Sequence, residues 1–336
     1  MDTRIKVALV GLGKIADYHI RAIEKNPKLE LVGGYDVIGD PENKLKNRRL
    51  YGSLAELLED DSIHTVFVLI PIGQKHAVSL EIIGAGKNLI TEKPTAKDTK
   101  ELEELFLEAK KRNVIFGGFF HSRYSGTAKK ITEMLETPEY SRTGIQEIKI
   151  WTDSPHVIDG KMVGKPSETT SFLDEGPNIL AEADLYVDGI SIDHTQVDTS
   201  LAAEGWPEIE TKIEGKFQGG KIEGTTSWVR GKKEKGVEIK FKSGKILRAI
   251  HTDQKVYNEK GEIIFDGEKE NPGVARLQKE YDSLYEGLFE ILTRKEEANT
   301  ELMRSVTVMM DGAYQARMKT DRGMIQLENS EIQKLR

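Results

Sequence analysis

The stretch Ile5-Lys-Val-Ala-Leu-Val-Gly-Leu-Gly-Lys-Ile-Ala16 constrains this chain more than any other. Ile5 to Val10 is a short apolar run rich in β-branched residues, the pattern of a strand buried on both faces. Gly11 permits a sharp turn out of that strand, and Gly13 lets the backbone approach a pyrophosphate closely. Ala16 is small enough for a helix to pack on the strand. That helix, expected to begin near Lys14, would aim its free N–H groups at phosphates. A second apolar run, Leu29 to Tyr35, ends at Asp36, 23 residues past Gly13. A carboxylate there accepts hydrogen bonds from the ribose hydroxyls of an adenosine. A lone G-x-G-x-x-A is weak evidence, since a simple tight turn accounts for it equally well. With a strand before it, a helix after it and the acid at the second strand end, it reads as a dinucleotide cradle of Gly11, Leu12, Gly13, Lys14, Ile15, Ala16 and Asp36. NAD is the expected cofactor, because a carboxylate repels the 2′-phosphate of NADP; Arg48 and Arg49, close in sequence, leave NADP possible.

Up to about residue 120 strands and helices alternate. Thr65 to Ile70 is a wholly apolar strand stopped by Pro71, and Lys75 to Gly84 follows as a packed helix. Asn88 to Thr91 is a strand ending in Glu92-Lys93-Pro94, Lys97 to Arg112 an amphipathic helix, and Val114 to Phe120 a return to the sheet. This spacing predicts an α/β Rossmann domain, a doubly wound parallel sheet, over residues 1–125. After it the period changes. Ala128 to Leu135 reads as a helix and Ile145 to Trp151 as a strand. From Ile209 to Phe265 strands are parted by turns at Gln218 to Lys221, Lys232 to Gly236, Lys242 to Lys245 and Asn258 to Gly261. Turns that close together predict antiparallel hairpins. Leu277 to Leu292 and Leu302 to Met318 read as helices, the second with Asn299 or Thr300 as N-cap. Residues 126–336 are therefore expected to form an α+β substrate-binding and oligomerisation domain with an open antiparallel sheet.

With 49 basic and 56 acidic residues, a net charge of −7 and no block of like charge, the chain offers no attraction to nucleic acid or an acidic membrane. Zero cysteines exclude disulfides, zinc–thiolate sites and a thiol nucleophile. No apolar run approaches the ~20 residues that span a bilayer, and the charged start leaves no room for a signal peptide, so a cytoplasmic protein is expected. The histidines show no metal-ligand spacing, and no metal is expected.

Taken together, the opening glycines, Pro71 with His76, Ala85-Gly-Lys-Asn-Leu-Ile90 and Glu92-Lys93-Pro94 resemble the Gfo/Idh/MocA family, which pairs a Rossmann domain with a C-terminal open antiparallel sheet. Phe120-His-Ser-Arg-Tyr124 and Phe172-Leu-Asp-Glu-Gly-Pro-Asn178 are similar to its galactose and arabinose 1-dehydrogenase branch. The resemblance implies that Pro71, His76, Glu92 and Lys93 meet the cofactor, His76 at the nicotinamide ribose. Lys93 has a physical case of its own: it lies at a strand C-terminus, where ligands of open α/β sheets bind. An ammonium there stabilises alkoxide character as hydride leaves. The bland alternative is a surface lysine.

Asp174 and Asn178, four apart, share one face if a helix begins there, and the resemblance implies that both approach the reacting hydroxyl. Many relatives have a histidine base where Asn178 stands. Asparagine takes no proton, so the base passes to Asp174 or Lys93. Asp174 is favoured as acceptor, with Lys93 as charge stabiliser and Asn178 as orienting donor. Asp174 could equally be a helix N-cap. His121 corresponds to a sugar-binding histidine of the branch, and Asp153 and Trp228 could bond and stack on a pyranose, although a tryptophan in a hairpin is more often core.

The expectation is an NAD(P)-dependent sugar dehydrogenase oxidising the anomeric hydroxyl of an aldose to a lactone, as a homodimer or homotetramer. The rivals are oxidation of an inositol or other ring hydroxyl, ketosugar reduction, a catalytically silent dinucleotide-binding regulator, and NAD-assisted glycoside cleavage.

Overall fold

The computed structural model describes residues 4–158, 161–162, 169–200, 208–294 and 299–316. The chain divides into two compact units, one of Met1–His121 with Leu277–Thr307, the other of Ser122–Arg276 with Val308–Arg336. A division into 1–125 and 126–336 leaves out the return of Leu277–Thr307 to the first unit.

In the first unit the strands are β1 (Ile5–Val10), β2 (Leu29–Tyr35), β3 (Arg49–Leu50), β4 (Thr65–Val68), β5 (Asn88–Glu92) and β6 (Phe116–Phe119). All pair in parallel, in the order β3-β2-β1-β4-β5-β6. The doubly wound sheet expected from the alternation is thus present, with its switch point between β1 and β4. The connecting helices are α1 (Ala16–Lys25), α2 (Leu54–Leu58), α3 (Ile72–Gly84) and α4 (Thr99–Arg112). β4 and β6 are buried at every position, as their unbroken apolar runs require.

Two later elements complete this unit, α8 (Arg276–Arg294) and the first half of α9 (Thr300–Gln315). Tyr281, Leu284, Tyr285, Leu288 and Leu292 are buried at helical spacing along α8. The Tyr285 ring stacks on Phe119 of β6 at 5.5 Å and meets Phe67 of β4 edge-on at 5.7 Å.

Asn299 has a use that its sequence position does not suggest. Its side chain does not cap α9. It accepts the Gly118 N–H at 3.1 Å and donates to the Gly118 carbonyl at 2.7 Å. β6 is an edge strand, so this amide satisfies backbone groups that no neighbouring strand reaches.

The second unit holds α5 (Gly126–Leu135), β7 (Ile145–Asp153), the small hairpin β8 (Val157–Ile158) and β9 (Lys161–Met162), and α6 (Ser171–Ala183). Then come β10 (Ser191–Asp198), β11 (Glu210–Phe217), β12 (Gly220–Ser227), β13 (Glu234–Phe241), β14 (Ile246–Ile250), β15 (Lys255–Tyr257), β16 (Ile263–Asp266) and α7 (Gly267–Glu270). Eight strands form one sheet in the order β10-β11-β12-β7-β13-β14-β15-β16.

The sheet departs from expectation at two points. The sheet is mixed, because β7 pairs in parallel with β12 while its other pairings are antiparallel. Lys232 to Gly236 is also no hairpin turn. β12 and β13 are separated by β7, so the segment crosses over it, and Gly236 lies inside β13 opposite Trp151. A Cβ on Gly236 would stand 2.6 Å from the Ala249 oxygen and from the Trp151 ring, so close packing selects this glycine. The other three turns do join hairpins, with Gly219, Gly244 and Gly261 at positive φ. α6 packs on β7, β11 and β12, while the opposite face carries charged ladders such as Lys221 with Glu147 and Glu223, both at 2.8 Å.

Asn299→Ala removes both bonds to Gly118 and should lower unfolding stability by about 1–3 kcal/mol. Denaturant titration checks this, and an unchanged midpoint would show that the edge strand does not need the amide.

Candidate active site

The dinucleotide cradle has the geometry its sequence implies. Gly11 has φ +98°, and a Cβ there would lie 2.8 Å from the Leu69 oxygen, so the turn leaving β1 is pressed against the end of β4. A Cβ on Gly13 would meet nothing within 4 Å, which leaves open space over the backbone where a pyrophosphate would lie. α1 starts at Ala16, two residues later than expected, with no side chain capping its N-terminus. Within that turn the Ala16 N–H donates to the Gly13 carbonyl and the Tyr18 N–H to the Ile15 carbonyl, both at 3.1 Å, so the loop itself uses these two amides. Leu12 and Ala16 are buried beneath the loop, Lys14 is exposed and Ile15 is half-buried.

Asp36 follows β2 and is preorganised. One carboxylate oxygen accepts the Leu12 N–H at 2.7 Å, the other the Ile38 N–H at 3.0 Å. It therefore ties the phosphate loop to the end of β2. Val37 and Ile38 beside it are 78% and 77% exposed. This exposed apolar pair, which sequence reasoning passed over, suits the flat face of an adenine. The residues present fit a dinucleotide. Arg48 and Arg49 are committed elsewhere, to Glu24 at 2.8 Å and Glu56 at 2.6 Å.

Glu92 ends β5, and its carboxylate is built into the interior at 6% exposure. It accepts from His19 Nε2 at 3.0 Å and from the Tyr281 hydroxyl at 2.5 Å, while the Lys93 N–H reaches its second oxygen at 3.1 Å. His19 Nδ1 is in turn 2.6 Å from the Tyr285 hydroxyl. Burial alone would raise the pKa of Glu92. The His19 hydrogen bond, the charges of His19 and His121 and the Tyr281 hydroxyl outweigh it and hold the carboxyl at about 2. Burial and the Glu92 charge push Tyr281 well above its ordinary range, so it remains a donor. Lys93 itself is half-buried.

Lys75, which the sequence reading treated only as the start of a helix, is 1% exposed. Its ammonium donates to the Glu92 carbonyl at 2.5 Å and the Pro94 carbonyl at 2.8 Å, the residues on either side of Lys93. A periodic signal was present: Ile72, Lys75, Ser79, Ile82 and Ile83 are the buried residues of α3.

Pro71 caps α3. His76 is set against α4, its Nε2 3.3 Å from Glu104. His121 is 8% exposed, with Nδ1 2.7 Å from Glu280 and its ring 5.4 Å from Tyr281. It belongs to the same buried polar group as Glu92.

In the second unit α6 carries Asp174 and Asn178 one turn apart, as their spacing requires. Asp174 is not the N-cap. Thr170 takes that role, accepting the Leu173 N–H at 3.0 Å. Asn178 donates its amide nitrogen to Glu175 at 3.1 Å, and its carbonyl oxygen is buried without a hydrogen-bond partner among the described residues. A carboxylate only accepts, so this contact fixes which way the amide points. Asn178 therefore has an acceptor to offer a ligand more readily than the orienting donor expected of it.

Glu175, also missed, holds Lys235 with both oxygens at 2.9 Å and Ser154 at 3.2 Å. Asp153, next to Ser154, is buried, which raises its pKa, and Arg230 at 3.6 Å opposes the rise. Trp228 is 3% exposed and packs with Ile209 and Val229, the core position that competes with sugar stacking. Among the described residues no group of three or more His, Asp or Glu side chains is placed to hold a metal ion.

Residues 5–120 match the profile of the Gfo/Idh/MocA oxidoreductase family, NAD-binding Rossmann fold. The chain is 23% identical to myo-inositol 2-dehydrogenase of Thermotoga maritima over 159 residues, 46% of this chain and 48% of that protein. It is 27% identical to trans-1,2-dihydrobenzene-1,2-diol dehydrogenase of Xenopus tropicalis, over 39% and 41% of the two chains. These matches span about half, or less, of the relatives' length. Two solved structures share the fold over nearly the whole chain. One is GenD2 from gentamicin A biosynthesis in complex with NAD (TM-score 0.78, 17% identity, covering 93% of this chain and 94% of that one). The other is a D-galactose-1-dehydrogenase from Rhizobium etli (TM-score 0.73, 20% identity, covering 94% and 96%).

Because the folded pKa of Glu92 lies below the 4.5 of a free glutamate, its contribution to stability is complete above about pH 4.5 and is lost as pH falls toward about 2. Glu92→Gln should therefore destabilise the protein at pH 7, and the gap to wild type should shrink as pH falls below 4.5. Denaturant midpoints at several pH values measure that gap; a gap independent of pH would show that the carboxylate charge is not what the network stabilises.

Proposed function

Because residues 5–120 carry the NAD-binding Rossmann domain of the Gfo/Idh/MocA oxidoreductases, we propose that this chain is an NAD-dependent dehydrogenase of a sugar or polyol, with Lys93 beside the reacting hydroxyl. The observation that carries the reading is the support under Lys93. A buried, ionised Glu92 holds the N–H of Lys93 and a buried Lys75 holds the carbonyls on both sides of it, at the C-terminal end of β5, two strands along the sheet from β1 and its dinucleotide cradle. A surface lysine has no need of such a foundation.

Bound in that cradle, the dinucleotide supplies the hydride acceptor. The protein's part is to hold the substrate carbon in place and manage the hydroxyl proton. Lys93 hydrogen-bonds the hydroxyl and takes up negative charge as it develops on oxygen. The proton passes to Asp174 or to Lys93, since Asn178 cannot accept it. Asn178 positions the substrate through its carbonyl oxygen, and His121 serves as a sugar contact. The finer reading is oxidation of the anomeric hydroxyl of a galactose- or arabinose-like aldose to a lactone, supported by the Phe120 to Tyr124 and Phe172 to Asn178 segments. Oxidation of an inositol or dihydrodiol ring hydroxyl is the second reading, favoured by an amide in place of a histidine base and by the activities of the two curated relatives. NAD over NADP follows from Asp36, with Arg48 and Arg49 engaged by glutamates. A homodimer or homotetramer meeting at the outer sheet face completes the reading. No helix among the described residues is long and apolar enough to cross a membrane.

An aldose and polyol panel followed by NADH absorbance tests the class. NAD binding with no turnover across the panel would favour a silent regulator. Lys93→Ala should lower turnover by about 100-fold or more while leaving NAD affinity nearly intact; retained turnover would remove Lys93 from the chemistry. Wild type should have the lower Michaelis constant for NAD, and Asp36→Ala should narrow the gap to NADP; an NADP preference in wild type would reverse the cofactor assignment.

A further inference from the structure

We propose that His121 and Glu280 form a carboxylate–imidazole pair in which Glu280 is the positioning residue and His121 Nε2 is the atom that takes the substrate's hydroxyl proton. The inference rests on the dehydrogenase reading above. It adds to Asp174 and Lys93 a third acceptor, one that the fold prepares for the task.

Geometry carries it. His121 Nδ1 lies 2.7 Å from a Glu280 oxygen, with the histidine 8% and the glutamate 1% exposed. An ionised carboxylate that far from water needs donors and can only accept, so the hydrogen between the two groups sits on Nδ1. The bond made by one ring nitrogen of a histidine sets the state of the other. In the neutral ring the lone pair is therefore on Nε2. Among the described residues the ring makes no second hydrogen bond, so Nε2 is left for a ligand.

The pair also stands where a reacting group belongs. Lys93 follows β5 and His121 follows β6, and the two strands pair in parallel with Glu92 opposite Phe119. Both residues thus leave the sheet at its C-terminal edge, where open α/β sheets bind ligands. The His121 ring is 5.4 Å from the Tyr281 ring; the Tyr281 hydroxyl holds Glu92, and Glu92 holds the Lys93 N–H. The charged and titratable groups around the ring are Glu280 and Tyr281 from α8 and Glu92 from β5, with His19 of α1 behind Glu92. Two apolar side chains often match or exceed a buried ion pair in stability, so a mere link from α8 to the end of β6 does not call for one. An imidazole held in one tautomer by a buried carboxylate is the arrangement that serial acyl-transfer enzymes use to take a proton from a hydroxyl.

The step balances. The hydroxyl O–H bond breaks toward Nε2 as hydride leaves the same carbon for NAD, oxidising the substrate to a carbonyl and reducing the cofactor. Glu280 stabilises the imidazolium until Nε2 gives the proton to solvent.

The first readout needs no substrate. In full-length protein grown with 13C-labelled histidine, the Cδ2 chemical shift reports the tautomer, and His121→Ala identifies its signal among the seven histidines. At the high-pH limit of its titration His121 should carry its hydrogen on Nδ1, and in Glu280→Leu that preference should be lost. A neutral wild-type ring with its hydrogen on Nε2 would overturn the proposal, even where Glu280→Leu does not fold. A tautomer that Glu280→Leu leaves unchanged would overturn it equally. The second readout is turnover of whichever aldose or polyol the panel identifies. His121→Ala should lower kcat about 100-fold or more with NAD affinity nearly intact, and added imidazole should restore part of it. A loss that imidazole leaves unrepaired would give His121 a structural part only and overturn the proposal. Circular dichroism checks folding, and His121→Asn carries the kcat comparison where the alanine variant does not fold. Retained kcat in the His121 variant, with Lys93→Ala inactive, would remove His121 from the chemistry and leave the dehydrogenase reading standing. No turnover by wild type across the whole panel would fail that reading, and the proton transfer with it, whatever the tautomer.

Discussion

The carboxylate of Glu92 is the interaction on which the first unit depends. An unpaired carboxylate in the interior costs far more than one hydrogen bond returns, so such a group persists only when several donors converge on it. Here they come from three directions: His19 from α1, Tyr281 from α8, and the backbone N–H of Lys93. Each donor fixes its own element. α1 is held at its first turns, just behind the phosphate loop, and α8 is held against the sheet although it lies far along the chain. Rings packed around these contacts, His19 on Phe119 at 4.8 Å and Tyr285 on Phe119 at 5.5 Å, exclude water and sharpen the electrostatics inside.

A consequence is that Lys93 emerges from a rigid base. Its neighbours' carbonyls are occupied by Lys75, its own N–H by Glu92, and the Glu92 side chain by two further donors. Placement of a reacting group to within fractions of an ångström requires that kind of supporting shell. The second unit repeats the strategy on α6, where Glu175 is buried against Lys235 and Ser154 and engages the Asn178 amide. In both units a buried glutamate orients a neighbour that is a candidate to touch a ligand. Surface pairs elsewhere, such as Lys221 with Glu147, are solvated and contribute little by comparison.

Much of the fold was legible residue by residue. The apolar runs of β1, β4 and β5, Gly11 and Asp36 each answer to a local rule, because a doubly buried strand, a left-handed turn and a strand-end acid leave short-range marks in composition. The pairing of α6 residues 174 and 178 follows from helical spacing alone. Other features left no such mark. β7 is inserted between β12 and β13, which turns an apparent hairpin into a crossover and one pairing parallel. Strand order is set by which faces bury against which, and turn residues do not encode it. Asp174 looked like a cap until Thr170 was seen to hold that place, and Asn299 looked like a cap while its amide served the sheet edge.

By itself, then, the sequence determined the dinucleotide cradle, the parallel sheet that presents it and the lysine at the strand end, since each leaves its mark within a short window of residues: an apolar run, a glycine turn, a strand-end acid or a strand-end lysine. Tertiary structure alone decided what stands beneath that lysine. Lys75, His19 and Tyr281 lie 18, 74 and 188 positions from Lys93, and the burial that sets their charges and hydrogen bonds exists only once distant elements have closed over them. Desolvation is a property of the packed interior, which no short window of residues contains.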